Sequence, residues 1–390
     1  MTPRPRIVQI NLAPTLGGAE VFTAFMSRAL AARGWPTRVI VGARASFWRD
    51  LDFGGVEVIG VSGGNGDAAT NALEAGDIAL IHGSLPAPVL ARLRERGQVL
   101  GIAHQAIYDA SWPAYYGQAD LLFGVSRRVI ATLRAHGMAN VHAEPLLGIG
   151  EIHRLHSEAA PVRGPLCEWD ERKFVEKLLG ARQRVFPAFG HGARYAKRPG
   201  LTLGIVSRIA RAKQFPALFD ILAPVIEAQP GVNVEIFGIA VGNKQLRALR
   251  RAVRPLGSRV RFWGHQRDVA PAYRGIDYLL TGLPDREALG LNIIEACLCG
   301  TPVLAVDAPP FTETMRDGIT GFLYADPRKD GGRDFARLLA GIADGTRKPD
   351  MAQAAAHLEG FSFARFADRV DTAMRDAVAL TARATTAAVP

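Results

Sequence analysis

Cysteine is scarce in this chain, and long apolar runs are missing. The 390 residues include three cysteines, Cys167, Cys297 and Cys299, an odd number of which two lie only two positions apart. Such a set does not form the disulfide framework of a small secreted protein, and it favours a reducing cytoplasm. No apolar run approaches the ~20 residues of a membrane-spanning helix, and the first residues lack the apolar stretch and cleavage site of a signal peptide.

Three further classes of protein are disfavoured. Hydrophobic residues make up 48% and charged residues 22% of the chain, which excludes a disordered or fibrous protein and, at this length, favours two or three domains. No Asp-x-Asp metal motif follows a predicted strand, because Asp50 and Asp52 fall in a helix-like or loop context. No nucleic-acid-binding motif accompanies the net charge of +10, so nucleic acid is not an expected partner.

The positive charge is concentrated in the middle of the chain. Residues 151–275 contain 22 basic and 10 acidic residues, and residues 244–261 contain seven basic residues and no acid. Spacings of three and four predict that one helix face carries Lys244, Arg247, Arg251 and Arg254. This face is either a solvated surface or a site of attraction for anions such as nucleotide phosphates or a membrane surface.

Short apolar runs alternate with helical patterns, once from Ile7 and again from Leu201. This alternation predicts two doubly wound α/β domains, each with a parallel sheet covered by helices on both faces. The stretch between them fits neither domain and contains one amphipathic helix candidate, Glu171–Val185. The predicted divisions are a first domain at 1–160, a linker with an inserted helix at 161–200, a second domain at 201–358 and a helical C-terminal segment at 359–390, whose last ten residues are expected to fray.

Two glycines, Gly17 and Gly18, separate the first predicted strand from the first predicted helix. Glycine at such a turn allows a phosphate to approach the backbone amides and the positive end of the helix dipole. The alternative to a phosphate-binding turn is a tight strand–helix turn that needs glycine only for its own conformation.

Residues 284–305, PDREALGLNIIEACLCGTPVLA, contain two glutamates with seven residues between them. Glu287 is predicted in a loop, and Glu295 about one turn inside the following helix, which is predicted at Ile293–Leu298. The backbone amides of Ala288–Leu291 are expected to be free at the helix N-terminus, where they would form an anion site. Carboxylates on both sides of an anion site suit a nucleoside diphosphate sugar. The alternative interpretation is that the two glutamates are unrelated surface carboxylates.

This stretch resembles the donor-site signature of the retaining GT-B glycosyltransferases of family GT4. Further segments resemble the same family in the same order, namely GGAE at 17–20, GIAHQAIYD around His104, VSRIARAKQF at 206–215 and GITGFLY at 318–324. Together they span nearly the whole chain outside 151–200. The sequence departs from the family pattern at Ser207, which replaces a glycine, in DAPPFTETM at 307–315, and in the spacing around Gly238.

The resemblance implies a GT-B fold, that is, two Rossmann-like doubly wound α/β domains facing a cleft, with the C-terminal helix crossing back to the first domain. It implies that Arg208 and Lys213 pair with the donor diphosphate, in the place where a metal would otherwise act, so neither a cofactor nor a metal is expected. It also implies that Glu287 holds sugar hydroxyls, that Glu295 holds ribose hydroxyls, and that His104 lies near the transferred sugar. The implied catalytic residues are His104, Arg208, Lys213 and Glu287. The implied donor-binding residues are Gly17, Gly18, Gly238, Ala288, Leu289, Gly290, Leu291 and Glu295.

The activity implied by the resemblance is transfer of a hexose-type sugar, with retention, from a nucleoside diphosphate sugar to an acceptor hydroxyl. The expected acceptor is a glycan or lipid-linked molecule of lipopolysaccharide, capsule or another surface glycan. The expected location is the cytoplasm, with peripheral binding to the anionic inner face of the cytoplasmic membrane. Two other classes fit the same architecture: a sugar-nucleotide 2-epimerase-like enzyme and a non-catalytic nucleotide-sugar-binding protein.

Overall fold

The computed structural model describes most of the chain in several stretches, which are residues 4–62, 67–83, 85–105, 116–150, 162, 194–240, 243–266 and 268–387. The predicted helix Glu171–Val185 and most of the predicted linker lie outside the described residues. The chain divides into two compact units, Met1–Ile149 with Glu359–Pro390, and Gly150–Leu358.

The first unit contains, among its described residues, a six-stranded parallel sheet in the order β3-β2-β1-β4-β5-β6. Its strands are β1 (Ile7–Asn11), β2 (Thr37–Gly42), β3 (Glu57–Val61), β4 (Ile78–Ile81), β5 (Val99–Ala103) and β6 (Leu121–Gly124). β1 is paired on both sides and is buried along its whole length. The strand order reverses between β1 and β4, and the carboxyl ends of strands at such a point are where ligands bind in doubly wound folds.

Helices connect these strands. They are α1 (Gly18–Ala32), α2 (Asp67–Asn71), α3 (Ala87–Arg96) and α4 (Arg127–Ala135), with a 3-10 helix at Ser46–Asp50. α1 buries Phe22, Phe25, Met26 and Leu30, whose spacings of three and four place them on one face. The N-terminus of α1 therefore lies directly after the central strand β1.

The second unit has a six-stranded parallel sheet as well, within its described part, in the order β12-β11-β10-β7-β8-β9. The strands are β7 (Leu201–Val206), β8 (Val232–Phe237), β9 (Val260–Gly264), β10 (Tyr278–Leu280), β11 (Val303–Val306) and β12 (Gly321–Tyr324). β7 takes the central place that β1 takes in the first unit, and the order reverses between β7 and β10.

The helices of the second unit follow the same alternation. They are α5 (Phe215–Glu227), α6 (Asn243–Ala252), α7 (Ala270–Arg274), α8 (Leu291–Leu298), α9 (Phe311–Thr314), α10 (Pro327–Asp330), α11 (Arg333–Ala343) and α12 (Ala354–Glu359), with 3-10 helices at Arg211–Lys213, Arg254–Arg259 and Met351–Gln353. α5 illustrates how they pack, since Phe215, Leu218, Phe219 and Leu222 are all buried and share one face.

The last helix, α13 (Phe363–Ala387), packs on the first unit although it follows the second in sequence. Phe366 is fully buried, with its ring edge-on to Phe22 of α1 at 5.4 Å between centroids. Trp35 Nε1 donates to Asp371 Oδ1 at 2.9 Å, and Arg369 donates to the carbonyl of Leu147 at 2.9 Å. α13 thus completes the core of the first unit.

The prediction of two doubly wound α/β domains is confirmed by these two sheets. Two predicted details differ. α8 begins at Leu291, two residues before the predicted start at Ile293, because Gly290 supplies the left-handed conformation that precedes the first turn. α13 continues to Ala387 and includes most of the segment expected to fray, which contains neither glycine nor an internal proline to end a helix. Within the described part of the chain, no helix combines the length and apolarity that crossing a membrane requires.

Candidate functional site

The second unit brings Lys213 and Glu287 into direct contact. Lys213 ends the 3-10 helix that follows β7, and Glu287 lies in the connection from β10 to α8. Because β7 and β10 are adjacent parallel strands, both connections leave the same edge of the sheet. The Lys213 ammonium donates to Glu287 Oε2 in a hydrogen-bonded ion pair. The sequence pattern identified both residues but gave no sign of this pair.

Gly282 allows the two connections to approach. A Cβ atom at this position would lie 2.0 Å from the carbonyl oxygen of Lys213, so a larger residue would separate the two segments. The amide of Leu283 donates to the same carbonyl at 3.3 Å. The contact between Lys213 and Glu287 is therefore fixed by backbone packing as well as by charge.

The carboxylate of Glu287 also binds the start of the next helix. Ala288 N donates to Glu287 Oε1 at 3.1 Å, and the amide of Leu289 contributes a second hydrogen bond. The expectation that the amides of Ala288–Leu291 are free is therefore wrong for the first two. The physical reason is that a carboxylate just before a helix N-terminus satisfies the amides that have no partner inside the helix.

Glu287 is ionised at neutral pH. Burial pushes the pKa of this carboxyl up, since the side chain is only 13% exposed. The Lys213 charge, the hydrogen bond from Lys213 and the two amides push it down by more, and the net pKa lies below its ordinary value. A buried, charged acceptor beside a cation is suited to bind hydroxyl groups next to a phosphate.

A second set of contacts holds the loop that carries Glu287. Arg328 pairs with Asp285 through two hydrogen bonds of 2.7 and 3.2 Å, and Gln214 Nε2 donates to Asp285 Oδ2 at 3.3 Å. Burial raises the pKa of Asp285, but Arg328, the hydrogen bond from Gln214 and a backbone hydrogen bond together lower it by more, so the carboxylate stays charged. The loop is thus fixed at Asp285 as well as at Glu287.

Glu295 lies on the second turn of α8, where the sequence placed it. Tyr273 of α7 donates its hydroxyl to Glu295 Oε2 at 2.7 Å, and Tyr273 is only 1% exposed. Burial raises the pKa of Tyr273 well above its ordinary value, so the phenol stays protonated and remains a donor. Tyr273 was not recognised from the sequence, because an aromatic residue on a short helix has no spacing that marks it as polar support.

Arg208 and Gly238 lie where β7 and β8 end. Arg208 is exposed, two residues beyond the end of β7. Gly238 has φ of 150°, and a Cβ there would lie 1.8 Å from the carbonyl oxygen of Ser207. Close packing of the two strand ends is therefore sufficient reason for a glycine at this position, whether or not a ligand also uses it.

In the first unit, Gly17 and Gly18 lie at the start of α1. Gly17 is the N-cap residue in an extended conformation, and Gly18 is the first helical residue. Asn11, at the end of β1, accepts from the amide of Ala13 at 3.1 Å and donates to Thr23 Oγ1 at 2.9 Å. These bonds tie the connection that carries the two glycines to both the strand and the helix.

His104 follows β5, where it contacts a second histidine that the sequence pattern did not identify. His82 follows the adjacent strand β4, and His82 Nδ1 lies 3.1 Å from His104 Nε2. The ring of Phe22 packs edge-on against His104 at 5.1 Å. Burial lowers the pKa of His104 to about 3 and also lowers that of His82, so both are neutral at pH 7. The sequence feature that could have identified the histidine pair is that each of two apolar strands is directly followed by a histidine.

Groups with metal-ligand chemistry are dispersed. Within the described residues, no three His, Cys, Asp or Glu side chains are grouped closely enough to hold a metal ion. Burial raises the pKa of the Cys297 and Cys299 thiols to about 12, so both stay protonated at neutral pH. Cys297 is buried in the core of the second unit, and Cys299 is partly buried against that core.

Comparison with solved structures identifies the fold. Anabaena HepE in complex with UDP and glucose is similar with a TM-score of 0.70 at 18% identity, over 96% of this chain and 100% of that one. The lipopolysaccharide outer core galactosyltransferase WaaB is similar with a TM-score of 0.65 at 15% identity, over 95% and 99%. With these neighbours, the two parallel sheets are those of a GT-B fold, as the sequence predicted.

Comparison by sequence adds a family for part of the chain. Residues 200–342 match the family model described as "Glycosyl transferases group 1". The D-inositol 3-phosphate glycosyltransferase of Actinosynnema mirum is 32% identical over 176 residues, which is 42% of each chain. The enzyme of the same name from Rhodococcus erythropolis is 32% identical over 228 residues, 51% of this chain and 50% of that one. The chain spans about half the length of these relatives or less.

Proposed function

We propose that this protein is a glycosyltransferase that moves a sugar from a nucleoside diphosphate sugar to an acceptor hydroxyl. The observation that carries the proposal is the ion pair of Lys213 and Glu287 at the N-terminal end of α8. A buried carboxylate beside an ammonium and backbone amides offers hydroxyl acceptors and phosphate donors side by side. The match of residues 200–342 to glycosyltransferases of group 1 supports this interpretation, because it includes both residues.

The proposed roles follow from the chemistry of each group. Arg208 and Lys213 bind the diphosphate and stabilise the charge that develops on the leaving group, so no metal or other cofactor is required. Glu287 accepts hydrogen bonds from sugar hydroxyls. Glu295, which accepts a hydrogen bond from Tyr273, also accepts from ribose hydroxyls. Further donor contacts are assigned to Gly17, Gly18, Gly238, Ala288, Leu289, Gly290 and Leu291, and a sugar contact to His104.

The proposed donor is a UDP-hexose. Solved structures of the similar protein HepE contain UDP with glucose, UDP alone and UDP-glucose. The proposed transfer proceeds with retention on one face of the sugar. The bond from the anomeric carbon to the diphosphate breaks, the bond to the acceptor oxygen forms on the same face, and the acceptor proton passes to the leaving phosphate oxygen.

For the acceptor we propose a lipid-linked surface glycan, such as one of lipopolysaccharide or capsule, bound at the cytoplasmic face of an anionic membrane. The support is the helix α6, on which Lys244, Arg247 and Arg251 are exposed while Leu246 and Leu249 are buried. Arg254, predicted on the same helix face, is also exposed but begins the 3-10 helix after α6. WaaB, a structural neighbour, is named as a lipopolysaccharide outer core galactosyltransferase. A second candidate is an inositol phosphate, because the relatives named above are D-inositol 3-phosphate glycosyltransferases.

The first experiment is a thermal-shift series with UDP-, GDP- and ADP-sugars. A ligand at about 100 times its dissociation constant stabilises the folded state by about 2.7 kcal/mol. We expect UDP-glucose to stabilise the protein by this amount and so to raise its melting temperature. The second is release of UDP from the stabilising donor, with and without D-inositol 3-phosphate or a lipid-linked glycan.

The outcomes separate the three functional classes. Acceptor-dependent UDP release supports a glycosyltransferase. Conversion of the sugar at C2 without an acceptor would identify an epimerase, and a thermal shift without turnover would identify a binding protein. If no nucleotide sugar shifts the melting temperature, the donor site assigned to Lys213 and Glu287 is wrong.

A further inference from the structure

Four side chains of the first unit form a continuous chain of hydrogen bonds that ends at His104. Ser27 Oγ lies 3.0 Å from the carbonyl oxygen of Thr23, and Gln9 Nε2 lies 2.6 Å from Ser27 Oγ. Gln9 Oε1 lies 2.8 Å from His82 Nε2, and His82 Nδ1 lies 3.1 Å from His104 Nε2. Ser27 and Gln9 are fully buried and His82 is 4% exposed, so water does not compete for these bonds.

The direction of every bond in this chain follows from its first member. A backbone carbonyl can only accept, so the single hydroxyl proton of Ser27 is donated to Thr23. Ser27 Oγ must then accept from Gln9, which places the amide NH2 of Gln9 toward Ser27 and its oxygen toward His82. His82 therefore donates through Nε2–H, and its Nδ1 is an acceptor. The proton between the two histidines must then come from His104 Nε2–H.

One nitrogen of His104 remains. A neutral imidazole carries one proton, and the proton of His104 is on Nε2, so Nδ1 carries a lone pair. Within the described part of the structure, no residue makes a hydrogen bond to Nδ1 of His104. The His104 side chain is only partly buried. The edge-on ring of Phe22 fixes the orientation of the imidazole.

We propose that Ser27, Gln9 and His82 are positioning residues that hold His104 in the Nε2–H tautomer, so that Nδ1 accepts a hydrogen bond from a substrate hydroxyl. A group at this place must therefore be a donor, which selects a hydroxyl and disfavours a phosphate or carboxylate. The identity of the donor as a sugar hydroxyl rests on the proposed function. The direction of the chain does not, because it follows from Thr23, Ser27 and Gln9 alone.

The test is the tautomeric state of the histidines, measured by ¹⁵N–¹H NMR on protein labelled with ¹⁵N-histidine. Single substitutions assign the signals of His82 and His104 among the nine histidines. In the unaltered protein both rings should show a protonated Nε2 and an unprotonated Nδ1. Addition of UDP-glucose should shift the Nδ1 signal of His104, and addition of UDP alone should leave it in place.

The decisive variant is Ser27→Ala. Gln9 lies between Ser27 and His82 in the chain of hydrogen bonds, so Ser27 contacts neither histidine directly. Without the hydroxyl, the Gln9 amide is free to turn its NH2 toward His82, which permits the opposite direction along the chain. We expect a second set of His82 and His104 signals, from rings protonated at Nδ1. Ser27→Thr retains the hydroxyl and should retain the single tautomer. Ser126→Ala is the matched control, because Ser126 is equally buried and caps α4 outside this chain of bonds.

The results separate this inference from the proposed function. A His104 ring protonated at Nδ1 in the unaltered protein, or unchanged signals in a folded Ser27→Ala variant, would overturn the tautomer assignment. The assigned tautomers without any response to UDP-glucose would retain the positioning role and overturn the sugar hydroxyl. If Ser27→Ala does not fold, the spectrum of the unaltered protein and that of Ser27→Thr still decide the donor-to-acceptor direction of the hydrogen bonds from Ser27 to His104.

Discussion

At the scale of single residues, Glu287 makes more polar contacts than its place in an irregular loop would lead one to expect. Its carboxylate accepts from Lys213 and from the amides of Ala288 and Leu289. A side chain held this firmly next to a helix N-terminus is preorganised, and in the proposed reaction it meets the sugar without rearrangement of the loop.

We predict that Glu287→Gln lowers the turnover of donor and acceptor by about 100-fold or more, as removal of one preorganised polar group does in other enzymes. The amide keeps the shape of the side chain, and Lys213 is partly exposed, so its charge remains solvated. The melting temperature should change little. Turnover of UDP-glucose is the measurement, and Glu227→Gln, an exposed glutamate at the end of α5, is the control. Wild-type turnover in Glu287→Gln would remove this residue from the site.

A second prediction concerns the charge of the same carboxylate. Lys213→Ala removes the cation that lowers the pKa of Glu287, while burial, which raises it, remains. We therefore expect the pKa of Glu287 to rise and the acid limb of the pH–activity profile to move to higher pH. The acid limb moves to higher pH because the Glu287 carboxylate protonates more easily once the cation is gone. Lys213→Arg should keep the profile near its original place.

The control for this experiment is a lysine outside the site. Lys197 pairs with Asp277 at 2.5 Å in the same unit, so Lys197→Ala also removes an ion pair. It should leave the acid limb unchanged. If Lys213→Ala also leaves it unchanged, the ionisation of Glu287 does not control the reaction.

The contrast between Glu287 and Tyr273 indicates what the sequence reveals at this scale. Glu287 and Glu295 were identified from their spacing, and Lys213 from the motif around it. The partners of these residues were not, because Tyr273, Asp285 and Arg328 lie on other elements and reach the site only through the fold. Spacing along one segment carries no information about which distant side chain will satisfy a buried carboxylate.

At the scale of secondary-structure elements, adjacent parallel strands determine which side chains meet. β4 and β5 are neighbours, and the residues after them, His82 and His104, come into contact. β7 and β10 are neighbours too, and the connections after them bring Lys213 to Glu287. Both units therefore place their polar groups at the carboxyl ends of central strands.

The two histidines make the first unit sensitive to acid. Burial lowers the pKa of both rings, that of His104 to about 3 from an ordinary value of 6.5. Below pH 6.5 the unfolded chain therefore binds protons that the folded state does not, and stability falls as the pH drops. Each ring contributes at most about 1.4 kcal/mol per pH unit, and His104 contributes less because it is partly exposed.

Urea unfolding between about pH 6.5 and about pH 5, above the range in which ordinary carboxylates titrate, measures this slope. We predict that His104→Gln reduces the slope, whereas His136→Gln, which replaces an exposed histidine after α4, leaves it unchanged. The half-buried His357 of the second unit also has a lowered pKa, and it contributes equally to both variants. Equal slopes in wild type and His104→Gln would show that the histidine pair is not the source.

The elements themselves were largely predictable. Continuous apolar runs such as Val303–Val306 coincide with buried parallel strands, since both faces of each strand are covered. The boundaries that differ depend on single backbone conformations or on tertiary packing. Gly290 starts α8 early through a positive φ, and α13 extends beyond its apolar pattern once Phe366 and its neighbours have fixed it on α1. Neither effect is visible in local periodicity.

At the scale of the whole molecule, the proposed reaction needs positive charge at the leaving diphosphate. Arg208 and Lys213 are assigned to supply it, which is what a divalent metal would otherwise do. We therefore predict that UDP release from UDP-glucose continues in excess EDTA at an unchanged rate. Loss of activity in EDTA that Mg²⁺ or Mn²⁺ restores would contradict the assignment of these two side chains.

The distribution of charge over the molecule leads to a prediction about membranes. The exposed cations of α6 and the turn after it are Lys244, Arg247, Arg251 and Arg254, and no ion pair joins them to an acid within the described residues. Other exposed arginines, such as Arg328 and Arg337, do pair with aspartates. The face on α6 is thus available to an external anion, and an anionic bilayer is the partner that we propose for it.

Each Lys or Arg close to an anionic surface contributes about 1 kcal/mol, so the double variant Arg247→Gln/Arg251→Gln should weaken vesicle binding by roughly 30-fold. The measurement is co-sedimentation with vesicles containing phosphatidylglycerol or with neutral vesicles, at low and high salt. The matched control is Arg333→Gln/Arg337→Gln on α11, where Arg337 pairs with Asp334 and Arg333 donates to the backbone carbonyl of Asp330. High salt should release the protein, because the Debye length falls from about 10 Å at 0.1 M to about 3 Å at 1 M. Equal sedimentation with both kinds of vesicle, or the same loss in both double variants, would exclude α6 as a membrane contact and favour a water-soluble acceptor such as an inositol phosphate.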